Sequence, residues 1–341
     1  MKKVIYFLPF CLLLISIEWK VPVKNKVRVG IWEFFDAKAI PSRNLFVNSK
    51  EISDNQKDDD NDGYIDNIHG IGFDYLEQPT NHNFLPTPEQ VELYFHGTAV
   101  AEVILRNNPN VELVGCGFLR YVERKYNDVH KQNLLERLKG PNEKDIELLK
   151  KMFATSLNYF RKNNVKVVNI SWMASNNVWK HILPDYNLNE EKYYQKMYQW
   201  TDMFHACLDS LLKAYSDIFF VIAAGNDSAD VYLSNTSPSK LDLPNTITVG
   251  GLQKDGKTRA TFSNYGKNVY VYATAEYDSL LIYKATDGTA YYAPEFYGTS
   301  FAAPVVTAYV AKLIENGKSF QEIKQILKQK KYFISTQKPL Y

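Results

Sequence analysis

The stretch Ile218-Phe219-Phe220-Val221-Ile222-Ala223-Ala224 is apolar without a break and closes on Gly225-Asn226. A strand with one wet face alternates apolar and polar side chains. A continuous run of this kind reads instead as a strand covered on both faces, the habit of parallel sheets. The same habit appears in Val27–Trp32 (VRVGIW), which ends at Glu33, and in VELVGCGF within 107–118. It recurs in Val165–Ile170 (VKVVNI) and Thr246–Val249 (TITV). Helical periodicity falls between these runs, over 97–106, 143–163 and 189–216. In the last of these, Tyr193, Met197, Trp200, Phe204, Cys207 and Leu211 recur at three-to-four spacing and read as a core-facing stripe. Near the end of the chain, Ser319 and Glu322 form a capping box that opens an amphipathic scaffold helix. Strands alternating with helices predict an α/β fold: a three-layer α/β/α sandwich with a mostly parallel central sheet.

Composition narrows the function classes. The 341 residues hold 40 Lys+Arg against 38 Asp+Glu, so no strong field draws the chain to nucleic acid or to an anionic membrane. Three cysteines exclude a disulfide scaffold and a cysteine-based zinc ribbon. Whether Cys116 and Cys207 pair is open. Lys2 and Lys3, which account for the whole formal +2, precede the uncharged stretch Val4–Ile17. Fourteen residues of helix span about 21 Å, short of the roughly 30 Å of a bilayer core. Residues 1–20 therefore read as a signal peptide or hydrophobic leader, and 21–341 as one domain. The chain is expected to be exported, to the medium or the periplasm and cell envelope. An uncleaved leader would act as an N-terminal anchor, and the mature chain would carry no transmembrane span.

Ligands of open α/β sheets sit beyond the carboxyl ends of the strands, and polar residues stand at three such ends: Glu33, Ser171 and Gly225-Asn226. His96 reads as lying immediately before a small-residue helix (HGTAVAE), where the helix dipole would keep its ring neutral and able to accept a proton. Ser300, in Gly298-Thr299-Ser300-Phe301-Ala302-Ala303-Pro304, stands at the mouth of a second helix. A hydroxyl is a weak nucleophile unless a base takes its proton, so Ser300 and His96 make chemical sense together. The Asn226 amide could donate to the oxyanion of a tetrahedral intermediate. An esterase elbow, Gly-x-Ser-x-Gly, is not found around Ser300, and His precedes Ser here.

HGTAVAEV (96–103), FFVIAAGN (219–226) and YGTSFAAPVV (297–306) resemble three sequence blocks of the subtilisin-like serine proteases, the subtilases. The resemblance implies a serine endopeptidase acting on protein or peptide substrates as a monomer, with no cofactor required for the chemistry. It implies His96 as general base, Ser300 as nucleophile and Asn226 in the oxyanion hole. Ser171, Trp172 and Met173, with Ala224 and Gly225, would line the substrate cleft. The helical stretches near 119–163 and 176–216 would be insertions, read as surface elaboration. One departure stands out. The family ends its first strand on a catalytic Asp, and by strand register Glu33 takes that position here, with Asp36 as the rival acid. A catalytically impaired subtilase fold, serving as a binding or scaffold module, is the alternative that this substitution leaves open.

A last feature is the acidic run Asp58-Asp59-Asp60-Asn61-Asp62-Gly63-Tyr64-Ile65-Asp66. Asp58, Asp60 and Asp62 alternate as in loops that converge on calcium, and Asp66 follows as a fourth candidate ligand. The twelfth position is His69, so the run is not an EF-hand. It is either a structural Ca²⁺ site or a solvated acidic loop.

Overall fold

The computed structural model describes residues 26–73, 79–80, 84–86, 91–118, 138, 143–335 and 337. The apolar leader and the 119–137 part of the first helical stretch lie outside the described residues. Four strands with near-continuous apolar sequence lie at the centre: β1 (Val27–Ile31), β4 (Val111–Phe118), β5 (Val165–Ile170) and β6 (Phe219–Ala223). Around them β2 (Gly70–Phe73), β3 (Pro79–Thr80), β7 (Thr246–Leu252), β8 (Val269–Thr274) and β11 (Tyr332–Phe333) complete a nine-stranded sheet. Its order is β11-β8-β7-β6-β5-β1-β4-β2-β3. All neighbours run parallel except β3, which lies antiparallel to β2 at the edge. A separate antiparallel hairpin, β9 (Glu276–Lys284) with β10 (Ala290–Tyr297), stands outside this sheet.

Successive residues of a strand point to opposite faces, and here each face has its own apolar layer. Val29, Val167, Phe219, Val221 and Ile247 face α1 (Val91–Asn107), α5 (Thr299–Glu315) and α6 (Phe320–Lys330). Val114, Cys116, Val168, Phe220 and Ile222 face α2 (Glu143–Lys162), α3 (Asn176–Asp185) and α4 (Glu191–Ala214). The chain is thus the expected α/β/α sandwich. Helix α5 is apolar nearly all round because it is buried nearly all round, with Thr299 through Ala308 out of solvent. Ser319 accepts from the Glu322 N–H at the start of α6, completing the expected capping box.

Two expectations need correction. Helices α2 and α4, read as surface elaboration, form the main cover of one sheet face: Met152, Phe153, Leu157, Phe160, Trp200, Phe204 and Leu208 are buried against it. The second correction concerns α1, which begins at Val91 and not after His96. His96 therefore sits within the helix, away from the free N–H groups on which the dipole argument depended. Cys116 and Cys207 are both free and buried, and burial pushes the Cys207 thiol up to about 11. No helix among the described residues is long and apolar enough to cross a membrane.

Candidate active site

The site forms where β1, β5 and β6 end and α5 begins. Glu33 lies just past β1, and His96 is carried to it by α1. His96 Nδ1 lies 2.5 Å from Glu33 Oε2. A carboxylate can only accept, so this contact puts the ring proton on Nδ1 and leaves Nε2 as an acceptor. Burial lowers the affinity of the imidazole for a second proton, but the Glu33 charge and hydrogen bond outweigh it and raise the His96 pKa. This reverses the expectation that a helix dipole keeps the ring neutral. Glu33 has no other strong partner: its Oε1 is buried with no hydrogen-bond donor among the described residues. The approach of α1 to β1 requires Gly97, because a Cβ there would fall 2.1 Å from the Phe34 carbonyl oxygen.

Asp36 is engaged elsewhere. It is fully buried, and its carboxylate accepts from the Lys38 N–H and the Lys284 N–H, both at 3.0 Å. It thereby caps the 3-10 turn Ala37–Ala39 and ties that turn to β9. Burial raises its pKa, against the two backbone donors, which lower it. Its own N–H donates to the Thr98 hydroxyl at 2.9 Å.

Ser300 lies in the first turn of α5 and is 9% exposed. The next residue, Phe301, brings its ring to 5.4 Å from the His96 ring, so the start of α5 is packed against the imidazole. The Ser300 hydroxyl donates to the Ser171 carbonyl at 3.1 Å. In return, the Ser171 hydroxyl donates to the Ser300 carbonyl at 2.9 Å. Sequence explains the second bond. In a regular helix the Ser300 carbonyl accepts from the N–H four residues on, and that residue is Pro304, which has none. Ser171 supplies the missing donor. Asn169 supports it through an Nδ2 donation to the Ser171 hydroxyl at 2.9 Å, and Thr307 donates to Asn169 Oδ1 at 3.0 Å. Ser171 is buried and holds the turn that carries Ser300.

Asn226, at the end of β6, accepts at Oδ1 from the Thr299 N–H at 2.9 Å and the Thr299 hydroxyl at 3.0 Å. Two donors on one atom fix the amide orientation and leave Nδ2 available as a donor beside the start of α5. The Thr299 hydroxyl also accepts from the Gly225 N–H at 2.9 Å, which locks β6 to α5. Gly225 has φ +103°, and a Cβ there would meet Met173 Sδ at 2.6 Å and Asn264 Nδ2 at 2.4 Å. Met173 thus lies across the Gly225 backbone. Ala224 is fully buried behind them. Trp172 is half-buried, stacks on Phe153 at 5.5 Å and donates its indole N–H to the Trp32 carbonyl at 3.1 Å. It joins the helical layer on the α2 side to the strand end behind Glu33.

The acidic loop lies elsewhere, between Phe46, which bonds to β4, and β2. Of the four expected ligands, Asp58 and Asp60 converge, and Asp62 and Asp66 do not join them. Asp62 pairs with Lys162 at 2.9 Å and also accepts from Asn67 Nδ2 and the Tyr64 N–H. Asp66 is fully buried, with its oxygens on the Asn55 and Gln56 N–H groups. The third member of the cluster is Glu51, which the sequence reading missed. One oxygen from each of Glu51, Asp58 and Asp60 lies within 4.8 Å of the others.

His96, Asn226 and Ser300 all lie within a stretch that resembles known proteins. Residues 77–338 match the profile of the Subtilase family, a span that includes those three side chains. The chain belongs to the Subtilase family. Glu33 precedes the matched span. Subtilisin-like protease 2 of Trichophyton verrucosum is 40% identical over 111 residues, 32% of this chain and 24% of the relative. Subtilisin-like protease 7 of Arthroderma gypseum is 36% identical over 107 residues, 31% of this chain and 24% of the relative. The matched stretch is thus about a quarter of the length of these curated relatives. A crystal structure of a lanthipeptide protease superimposes with a TM-score of 0.50 at 17% identity, covering 89% of this chain and 79% of that one, a likeness of fold.

Proposed function

We propose that the chain is a serine endopeptidase whose acid–base–nucleophile set is Glu33, His96 and Ser300. The observation that carries this reading is the 2.5 Å contact between Glu33 Oε2 and His96 Nδ1, made beside the turn that presents Ser300. The Ser300 hydroxyl turns from the Ser171 carbonyl toward His96 Nε2 and attacks the carbonyl carbon of a peptide bond. His96 takes the hydroxyl proton as the Oγ–C bond forms, and Glu33 stabilises the imidazolium. Asn226 Nδ2 and the Ser300 N–H donate to the oxyanion. The tetrahedral intermediate collapses, His96 delivers the proton to the leaving amine, and an ester to Ser300 is left. Water, deprotonated by His96, attacks the ester; the Oγ–C bond then breaks, and His96 returns the proton to the Ser300 oxygen as the acid leaves. These steps use this chain's own side chains and substrate.

The substrates under this reading are extended segments of proteins or peptides, seated between residues 171–175 and 223–225, and the enzyme acts as a monomer. Lys2 and Lys3 ahead of the apolar Val4–Ile17 support export. The test is labelling of the purified full-length chain with a fluorophosphonate, beside Ser300→Ala and His96→Ala. Labelling that needs Ser300 and drops sharply without His96 supports the peptidase. A folded chain that neither labels nor cleaves peptides would instead be a binding module on the same fold.

A further inference from the structure

We propose that Trp172 is a positioning residue: its indole holds the end of β1 and thereby sets where the Glu33 carboxylate meets His96. The proposal rests on the reading of Glu33 as the acid of the site. Glu33 is a flexible side chain with little to hold it. Its Oε2 meets His96 Nδ1, and its Oε1 is buried with no hydrogen-bond donor among the described residues. A long carboxylate with one partner keeps much of its rotamer freedom unless the backbone beneath it is fixed. Whatever fixes Glu33 must therefore act through the strand end, and the residue before it is Trp32.

Trp32 is fully buried, one residue past β1. Its N–H donates to the Asn169 carbonyl at 3.3 Å, which carries the β1–β5 ladder one bond beyond the strand. Its carbonyl, the next acceptor along that ladder, is met by a side chain: the Trp172 indole N–H donates to it at 3.1 Å. That carbonyl shares its rigid peptide plane with the Glu33 N–H, so the indole bond fixes the plane from which the Glu33 side chain starts. The indole is itself held by rings. It stacks on Phe153 of α2 at 5.5 Å and meets Trp32, Phe118 and Phe204 edge-on at 5.3, 5.7 and 6.4 Å. Packing of this kind leaves the indole few rotamers and keeps its donor aimed at the strand end. The residue before it, Ser171, donates to the Ser300 carbonyl. Consecutive residues at the end of β5 thus serve both halves of the site: Ser171 the nucleophile, Trp172 the acid.

The test uses the full-length chain carrying Ser300→Ala, without substrate, with the His96 ring nitrogens followed by NMR as pH is raised through neutrality. Trp172→Phe keeps an aromatic ring against Phe153 and removes the N–H. Replacement of Trp172 by 3-benzothienylalanine, which keeps the whole ring shape and puts sulfur in place of the N–H, serves if Trp172→Phe fails to fold. In either chain the His96 pKa is expected to fall from the parent's value toward that of Glu33→Gln, by about half a unit or more. In chains that retain Ser300, kcat at saturating substrate should fall about tenfold or more. Trp179→Phe is the control: it loses an indole bond of the same kind, to the Thr201 hydroxyl at 2.8 Å, and should leave the His96 titration unchanged. A folded Trp172 variant whose His96 titrates as in the parent, while Glu33→Gln still lowers it, would overturn the proposal and leave Glu33 as the acid. An equal shift in Trp179→Phe would overturn it too, as general loosening of the helical layer. If Glu33→Gln itself leaves the His96 titration unchanged, the reading of Glu33 fails and the proposal falls with it.

Discussion

The Ser171 hydroxyl donates to the carbonyl of Ser300 at 2.9 Å, the carbonyl that Pro304 leaves without a helical donor. The first turn of α5 is therefore completed from another element, the end of β5, and the position of Ser300 depends on it. Ser171→Ala removes that donor and orphans a buried carbonyl. A loss of about 1–3 kcal/mol in unfolding free energy is expected. Denaturant titration measures it. A larger fall in kcat than in KM should accompany it, because the nucleophile and not the cleft is displaced.

The raised pKa of His96 sets a pH dependence. The ring must be neutral to accept the Ser300 proton, so kcat/KM rises with pH as His96 loses its second proton. Because the Glu33 charge and hydrogen bond outweigh burial, this acidic limb lies above the ordinary imidazole value of 6.5. Replacing Glu33 with Gln leaves burial dominant and moves the limb below that value. The stability contribution follows the same pair. A group whose folded pKa is raised favours the folded state most fully below its unfolded pKa, and that contribution fades as pH rises through the folded pKa. Melting of the Ser300→Ala chain across pH 5 to 9, with and without Glu33→Gln, measures this difference.

The close packing of α1 on β1 gives a steric prediction. A methyl group at position 97 would meet the Phe34 carbonyl oxygen at 2.1 Å, a contact that only backbone movement relieves. Gly97→Ala is expected to cost about 1–3 kcal/mol, as overpacking does. It should also pull His96 off Glu33, so the acidic limb of kcat/KM falls toward that of Glu33→Gln. A Gly97→Ala chain with the parent's stability and pH profile would show that the approach is looser than described.

Much of the fold was legible because the buried strands announce themselves. VKVVNI gave β5 to the residue, since its β-branched run, interrupted only by Lys166 and Asn169, suits a parallel strand covered on both faces. His96, Asn226 and Ser300 each lie in a short contiguous block that the sequence singles out, Asn226 and Ser300 at element ends and His96 inside α1. The hairpin of β9 and β10 was not, because its tyrosines and charged residues alternate on a partly exposed ribbon that lacks a continuous apolar run. The start of α1 was missed because its first turns carry Tyr94 and Phe95 in place of the small residues that follow His96. The acidic loop misled in an instructive way. Asp62 and Asp66 share a motif with Asp58 and Asp60, yet they serve Lys162 and two backbone N–H groups. Glu51 comes into the cluster from outside the motif, and only the folded loop brings it there. The choice between Glu33 and Asp36 likewise rested on register, and it took the backbone donors on Asp36 to explain why that acid is occupied.

The most direct measurement is kcat/KM toward a peptide substrate for Glu33→Gln and Asp36→Asn, each in an otherwise unaltered chain verified to be folded. If Glu33 orients His96, a glutamine there offers the wrong partner to Nδ1, and kcat should fall by about 10³–10⁴-fold. Asp36→Asn should lower the melting temperature and keep kcat/KM within about tenfold of the parent, since its carboxylate holds backbone and not the imidazole. A Glu33→Gln enzyme as active as the parent, beside an inactive but folded Asp36→Asn enzyme, would contradict the account.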